Sequence, residues 1–287
     1  MKKRVFCAVL IALLGWEALR QMNGTGEPAD GLQMVQVMNG EGKRSDLTAV
    51  SASRVHQGNL LLVNKDYPVH SEGVTSDIIK LAEHRELTAG YALLDNDTRL
   101  SKTVALQFSK MVEAAAGEGV SQFLISSGYR DTDKQKQLYE EKGADYALPP
   151  GHSEHNLGLS LDIGSSQMEM SRAPEGRWLE ANAWDYGFIL RYPKDKSDIT
   201  GIQYEPWHFR YVGLPHSIIM RDKHYTLEEY LDFLKEQQSV TVKVKGTVYQ
   251  ISYYPVNGSS TFIPVPAGQQ CDISGNNIEG LIITSHP

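Results

Sequence analysis

Two short stretches carry side chains able to hold a metal ion and a proton acceptor in one place. Ser153-Glu-His155-Asn-Leu-Gly158-Leu-Ser-Leu-Asp162 supplies an imidazole and a carboxylate. Glu205-Pro-Trp-His208-Phe-Arg-Tyr-Val-Gly213 supplies a second imidazole and a spare carboxylate. Three protein ligands, a fourth position left to water and a base beside it make up a catalytic zinc site. On this reading His155, Asp162 and His208 hold Zn2+, and Glu205 takes the proton from the water. His152, three residues before His155, is a rival ligand.

The elements that position these groups follow from the surrounding pattern. Leu159, Leu161 and Ile163 alternate with Ser160, Asp162 and Gly164, the period-two signature of a half-buried strand. Asp162 then points away from the face that Leu161 buries. His155 and Asp162 are an odd number of residues apart, so one straight strand would place them on opposite faces. A turn at Gly158 would bring them to the same side. Pro206 discourages a helix between Glu205 and His208, and a bulge or bend there would let both side chains reach one cavity.

Both stretches resemble the Ser-x-His-x-x-Gly-x-x-x-Asp and Glu-x-Trp-His motifs of the VanY-type D-alanyl-D-alanine carboxypeptidases. The likeness extends to Ser126-Ser-Gly-Tyr-Arg130, Trp178-Leu-Glu-Ala-Asn-Ala-Trp184, Tyr186-Gly-Phe-Ile-Leu-Arg-Tyr-Pro193 and Ile202-Gln-Tyr-Glu-Pro-Trp-His-Phe-Arg-Tyr-Val-Gly-Leu-Pro215. The resemblance favours His155 over His152 as ligand and makes Glu205 the base. It implies that Arg130 stabilises charge near the zinc, that Gln135 approaches the substrate, and that Ser153 hydrogen-bonds it near its C-terminal end. It implies an α+β fold, with an antiparallel sheet bearing the zinc site and helices packed on the other face. The implied reaction is hydrolysis of the terminal bond of a peptidoglycan stem peptide or its lipid-linked precursor, ending in D-Ala-D-Ala or D-Ala-D-lactate. Such trimming removes the terminus that glycopeptide antibiotics such as vancomycin recognise. It needs no serine acyl-enzyme.

Along the chain, Met1-Lys-Lys-Arg4 precedes the apolar run Val5 to Trp16, so residues 1–22 read as a membrane anchor or signal segment. Basic residues before the run place the rest of the chain outside the cell membrane. Residues 23–56 read as a flexible linker, 57–237 as the catalytic domain and 238–287 as a small all-β appendage. Leu60 to Val63 is expected as a buried strand. Ser101 caps a helix whose stripe is Val104, Phe108, Met111, Val112 and Ala115. Gln122 to Ile125 reads as a strand and Asp133 to Lys142 as a helix. Glu175 to Tyr186 reads as a helix stopped by Gly187, with Trp178 and Trp184 as packing. Phe188 to Pro193 and Gly201 to Gly213 are expected as strands. Thr226-Leu-Glu-Glu229 is a capping box, and Val240, Val242 and Val244 alternate beyond it.

The net charge of −7 over 287 residues argues against a nucleic-acid partner, which requires a basic surface. Only Cys7 and Cys271 are present, so the fold is not disulfide-stapled. Two rivals share the same residues. One is an L,D-carboxypeptidase or cell-wall endopeptidase on the same zinc centre. The other is a non-catalytic, metal-stabilised cell-wall-binding module, which would need a damaged site, whereas His155, Asp162, His208 and Glu205 are all present.

Overall fold

Alternation of apolar and polar residues builds the sheet that carries both motifs. The computed structural model describes residues 33–34, 45–143, 148–266 and 268–287. Residues 1–22 and much of the expected linker lie outside the described residues. The motif-bearing sheet contains β1 (Ala92–Leu93), β2 (Phe123–Ser127), β3 (Ser160–Ser165), β4 (Phe188–Leu190) and β5 (His208–Tyr211). Its spatial order is β1-β2-β3-β5-β4, antiparallel throughout except for the β1/β2 pair.

Leu161, Ile163 and Phe209 turn to one face of this sheet and are at most 1% exposed. Helix α1 (Lys102–Gly117) and helix α3 (Pro174–Asn182) close over that face, bringing Phe108, Met111, Val112, Trp178 and Leu179 into the same cluster. Ser101 starts α1 by accepting the Val104 N–H at 3.3 Å. Helix α2 (Thr132–Lys142) begins at Asp131, whose carboxylate accepts from Lys134 N–H. Each fully buried Leu, Ile or Phe side chain contributes about 1.5–3 kcal/mol. Asp162 and His208 have the opposite parity to these residues and emerge on the other face.

The C-terminal strands are β6 (Ser239–Val244), β7 (Thr247–Pro255), β8 (Ser260–Pro266), β9 (Gln270–Gly275) and β10 (Gly280–His286). Four of them form an antiparallel sheet in the order β6-β7-β10-β9, with Gln33–Met34 added beside β6. Val240, Val242 and Val244 face inward, as their alternation requires. They pack with Ile218, Ile219 and Met220 of α4 (His216–Lys223) and with Leu227, Tyr230, Leu231 and Leu234 of α5 (Leu227–Gln237). The reciprocal Thr226/Glu229 capping box starts α5. The C-terminal strands thus share a core with these helices rather than building one of their own.

Several expected boundaries move. The linker ends earlier than residue 56, because Ser45–Ser51 pairs with β8 and Ala52–His56 forms a 3-10 turn that buries Val55. Tertiary pairing overrides the polar composition there. The backbone of Val55 lies where a Cβ on Gly275 would sit, so only glycine admits the contact. Leu60 to Val63 is buried but joins no ladder. Its N–H and carbonyl groups go instead to Asn276 O, Arg210 Nη2 and Asn277 Nδ2. The strand expected from Gly201 to Gly213 is confined to β5, and that from Phe188 to Pro193 to β4. Helix α3 yields at Ala183 to a 3-10 turn that Gly187 ends at φ +85°. Among the described residues no helix is long and apolar enough to cross a membrane.

Removing residues 239–287 would expose the apolar faces of α4 and α5. Several side chains at about 1.5–3 kcal/mol each compare with a total stability of about 5–15 kcal/mol for an ordinary protein. A chain truncated after Gln238 is therefore expected to lose its cooperative thermal transition by circular dichroism. A sharp transition in the truncated chain would make the C-terminal strands a dispensable module.

Candidate metal centre

Strand register sets the site. Asp162 on β3 pairs directly with His208 on β5, and with Ser127 on β2 beyond a bulge between Ile125 and Ser127. Direct antiparallel partners have Cβ atoms about 4.5–5.5 Å apart on one face. His155 arrives by another route. Ser153 opens a 3-10 turn over Glu154–Leu157, its hydroxyl accepting the His155 N–H at 3.4 Å. Gly158 ends that turn in the left-handed region at φ +82°. A Cβ there would run into the Ile78 side chain. The reversal at Gly158 puts His155 and Asp162 on the same side.

Glu205 reaches the site from a tight turn rather than from a strand. The His208 N–H returns to the Glu205 carbonyl at 3.2 Å, and the Glu205 N–H bonds Tyr192 O at 3.1 Å. The bend lies over Pro206, where no backbone donor is needed.

Three ligand atoms, one each from His155, Asp162 and His208, lie within 4.8 Å of one another. His155 Nε2 is 3.3 Å from Asp162 Oδ2, and His208 Nδ1 is 3.2 Å from Asp162 Oδ1. Two atoms bound tetrahedrally to one ion at about 2.0–2.2 Å would lie about 3.3–3.6 Å apart. The tautomers follow from partners that only accept. His155 Nδ1–H donates to Gly128 O at 2.7 Å, which leaves the Nε2 lone pair for the cluster. His208 Nε2–H donates to Glu154 Oε2 at 3.3 Å, which leaves Nδ1 for the cluster. Asp162 Oδ1 is buried without a hydrogen-bond donor of good geometry. Three converging lone-pair donors with an unsatisfied buried carboxylate oxygen are what a divalent cation balances. His152 stands apart, with Nδ1 bonded to Asn64 O at 2.8 Å.

Burial and charge set the protonation states. Burial opposes the charge of Asp162, yet His155 and His208 hold its carboxyl well below the usual range. Burial keeps His155 below its ordinary value. Burial pulls His208 the same way, but the neighbouring Asp162 and Glu154 carboxylates override it and push His208 up to about 9. Glu205 Oε2 lies 3.7 Å from His208 Nδ1. Desolvation raises the proton affinity of Glu205 despite His208, and its side chain remains 29% exposed. A raised carboxylate that solvent still reaches suits proton transfer. The half-buried Arg130 side chain lies within electrostatic reach of Asp162 and Glu205, and its buried Nε has no hydrogen-bond partner.

Gln135 is 1% exposed, and its amide donates to Leu148 O at 2.7 Å, leaving Oε1 unpaired. Sequence reasoning overlooked Glu154, Arg191 and Arg210. The Glu154 carboxylate is fully buried, and Arg210 and Arg191 override the cost of burial to hold it ionised. One signal was available. Arg210 lies two residues after His208 on a half-buried strand, so it shares the face of a functional residue.

The family described as VanY, D-alanyl-D-alanine carboxypeptidase, matches residues 97–214. A D-alanyl-D-alanine carboxypeptidase of Enterococcus faecium is 53% identical over 276 residues, covering 96% of this chain and 89% of the relative. The vancomycin-resistance D,D-dipeptidase VanXYg, solved with a D-Ala-D-Ala phosphinate analogue, superposes with a TM-score of 0.75 at 31% identity. That match covers 85% of this chain and 100% of the neighbour. A mutant of the D,D-pentapeptidase VanY from a VanB-type resistance cassette, solved with Zn(II), gives a TM-score of 0.51 at 32% identity. It covers 60% of this chain and 98% of the neighbour.

The His208 state has a measurable consequence. In the metal-free protein its raised value contributes stability that is fully present below pH 6.5 and lost as pH rises through about 9. A cation needs the neutral ring, so metal binding at pH 7 is expected to release about one proton. Calorimetric titration in buffers of different ionisation enthalpy measures this. Buffer-independent heats would refute the protonation state assigned to His208.

Proposed function

The chain belongs to the VanY family of D-alanyl-D-alanine carboxypeptidases, and on that premise we propose a zinc-dependent D,D-carboxypeptidase acting on peptidoglycan stem peptides. The observation that carries this reading is the placement of Glu205 beside a His155/Asp162/His208 cluster. Zinc would fit the donor set of two imidazoles and one carboxylate that His155, His208 and Asp162 present. When bound, zinc supplies Lewis-acid polarisation of the scissile carbonyl and of the attacking water.

The chain's own residues do the rest. Glu205 accepts a proton from the attacking water and returns it to the amine of the departing D-Ala. Its raised proton affinity favours the first of these transfers, and the basic amine of the departing D-Ala takes the proton back. Arg130 offers a half-buried positive charge to the oxygen on which negative charge develops. Ser153, at the entry to the metal turn, is assigned to the substrate's C-terminal end, and Gln135, on α2, is assigned to the approach of the substrate. The bond cleaved is the last peptide bond, or the ester where D-lactate replaces D-Ala. Removing the terminal residue deletes the epitope of glycopeptide antibiotics. The substrate is either assembled wall or the lipid-linked precursor.

The basic start and apolar run at the N-terminus support an anchored protein with the catalytic portion outside the cell membrane. Protease added to wall-stripped intact cells is expected to digest the catalytic portion. Protection would reverse the topology.

The reaction is tested by mass spectrometry of products from a synthetic pentapeptide ending in D-Ala-D-Ala, with and without chelator. Loss of one D-Ala, abolished by chelator and restored by zinc, is expected. Cleavage only of a tetrapeptide at its L,D bond would favour the L,D-carboxypeptidase. No cleavage of either by zinc-loaded protein would leave a binding module. Glu205→Gln is expected to keep one zinc per chain and to lose about 10²–10⁴-fold in turnover. His208→Ala is expected to lose zinc and turnover together. Loss of zinc by Glu205→Gln would make Glu205 a ligand.

A further inference from the structure

We infer that Glu154 is a positioning residue that fixes His208 in the tautomer whose Nδ1 faces the metal cluster. The inference rests on the zinc reading above. The Glu154 side chain is fully enclosed and meets four donors, two on each oxygen. Oε1 accepts from Arg191 Nε at 2.8 Å and from Arg210 Nη1 at 2.7 Å. Oε2 accepts from Ser160 Oγ at 3.1 Å and from His208 Nε2 at 3.3 Å. Every lone pair of the carboxylate is engaged, so it cannot rotate without losing charge-assisted bonds.

The arginines are themselves held. Arg191 turns its other edge to Glu228 in a two-bond pair at 2.9 and 2.6 Å. Arg210 spends its remaining donors on the backbone carbonyls of Asn59, Leu61 and Tyr211. Two guanidinium groups and two carboxylates balance before His208 is counted. The network therefore accommodates a neutral imidazole that donates from Nε2. A hydrogen-bonded partner on the far nitrogen of a metal-binding histidine fixes its ring and tautomer. Glu154 occupies that position for His208, as Gly128 O does for His155.

Glutamine at this site removes the charge and one accepting edge together, and the His208 tautomer is the readout of positioning. An amide presents one acceptor and one donor end. With its oxygen toward the two arginines, its NH2 group faces Ser160 and His208. Ser160 can reverse its hydroxyl to accept. His208 accepts at Nε2 only if its proton moves to Nδ1, the atom 3.2 Å from Asp162 Oδ1. That proton blocks the metal. The other amide orientation sets N–H donors against two guanidinium groups and is worse.

The experiment measures zinc affinity of wild type, Glu154→Gln and Ser160→Ala by competition with a chromogenic chelator. Long-range proton–nitrogen correlation on the zinc-free proteins above pH 9, where the ring is neutral, reads the His208 tautomer. Wild type should bind one zinc and show His208 protonated at Nε2. Glu154→Gln should bind zinc about 10–100-fold more weakly, as for other partners of metal-bound histidines, and lose the Nε2–H signal. Ser160→Ala, which removes only the neighbouring donor, should match wild type in both. If Glu154→Gln lacks a cooperative melt, Glu154→Asp carries the test. It keeps the charge but withdraws the carboxylate by one methylene, and it should also weaken zinc. Wild-type zinc affinity with an unchanged His208 tautomer in the folded Glu154 variant would overturn the inference. Absence of zinc binding by wild type would overturn the zinc reading itself.

Discussion

Asp162 and His208 face each other across adjacent antiparallel strands, and the site depends on that pairing. Side chains alternate with a period of two, so a slip of one residue would turn both toward the helices. The same slip would expel Leu161, Ile163 and Phe209 from the core into the cavity. Hydrophobic burial and metal-site geometry thus enforce one register. The apolar residues supply the energy, and the polar residues between them inherit a fixed position. His155 is the exception, because it comes from a turn and relies on Gly158 to reverse the chain.

Charge in a dry site is the second constraint. Glu154, Arg191 and Arg210 have no contact with solvent through their side chains, and Asp162 has little. Stripping one partner from a buried ion pair costs about 3–5 kcal/mol, because the other charge is left unpaired. Near the cluster the pairs are chained. Glu154 links both arginines to His208, Arg191 extends to Glu228 on α5, and Arg210 extends to the backbone before Leu62. The polar face of the sheet is organised by hydrogen-bond direction. The other face is organised by shape.

Local pattern made much of this legible. Leu159 to Ile163 and Val240 to Val244 read as strands because alternation survives any tertiary context that buries one face. Ser101 and Thr226 read as helix starts because a cap bonds within its own turn. His155, Asp162, His208 and Glu205 stood out through residue type and order, and the structure gathers all four. What escaped notice was fixed by distant partners. Leu60 to Val63 has the composition of a strand, but its backbone is claimed by Arg210, Asn276 and Asn277. Ser45–Ser51 looks like linker until β8 is placed beside it. Glu154 looks like a solvated residue of a loop. Its burial becomes visible only when Arg191, just beyond β4, and Arg210 on β5 converge on it.

The C-terminal strands matter to the site through the same long-range bonds. Asn277, in the turn between β9 and β10, donates from Nδ2 to the carbonyls of Leu62 and Pro68. Its own Oδ1 meets His56 Nδ1 at 2.8 Å. The segment so held carries Val69, whose N–H bonds Gly151 O at 2.6 Å, and Asn64, whose carbonyl bonds His152. Gly151 and His152 lead directly into the turn that presents His155. A buried amide leaves two unsatisfied groups behind when it is removed, so each link resists breaking. The turn at Asn277 therefore reaches the metal-binding turn through one short segment of backbone. The strands that share a core with α4 and α5 also hold the entry to the catalytic motif in place.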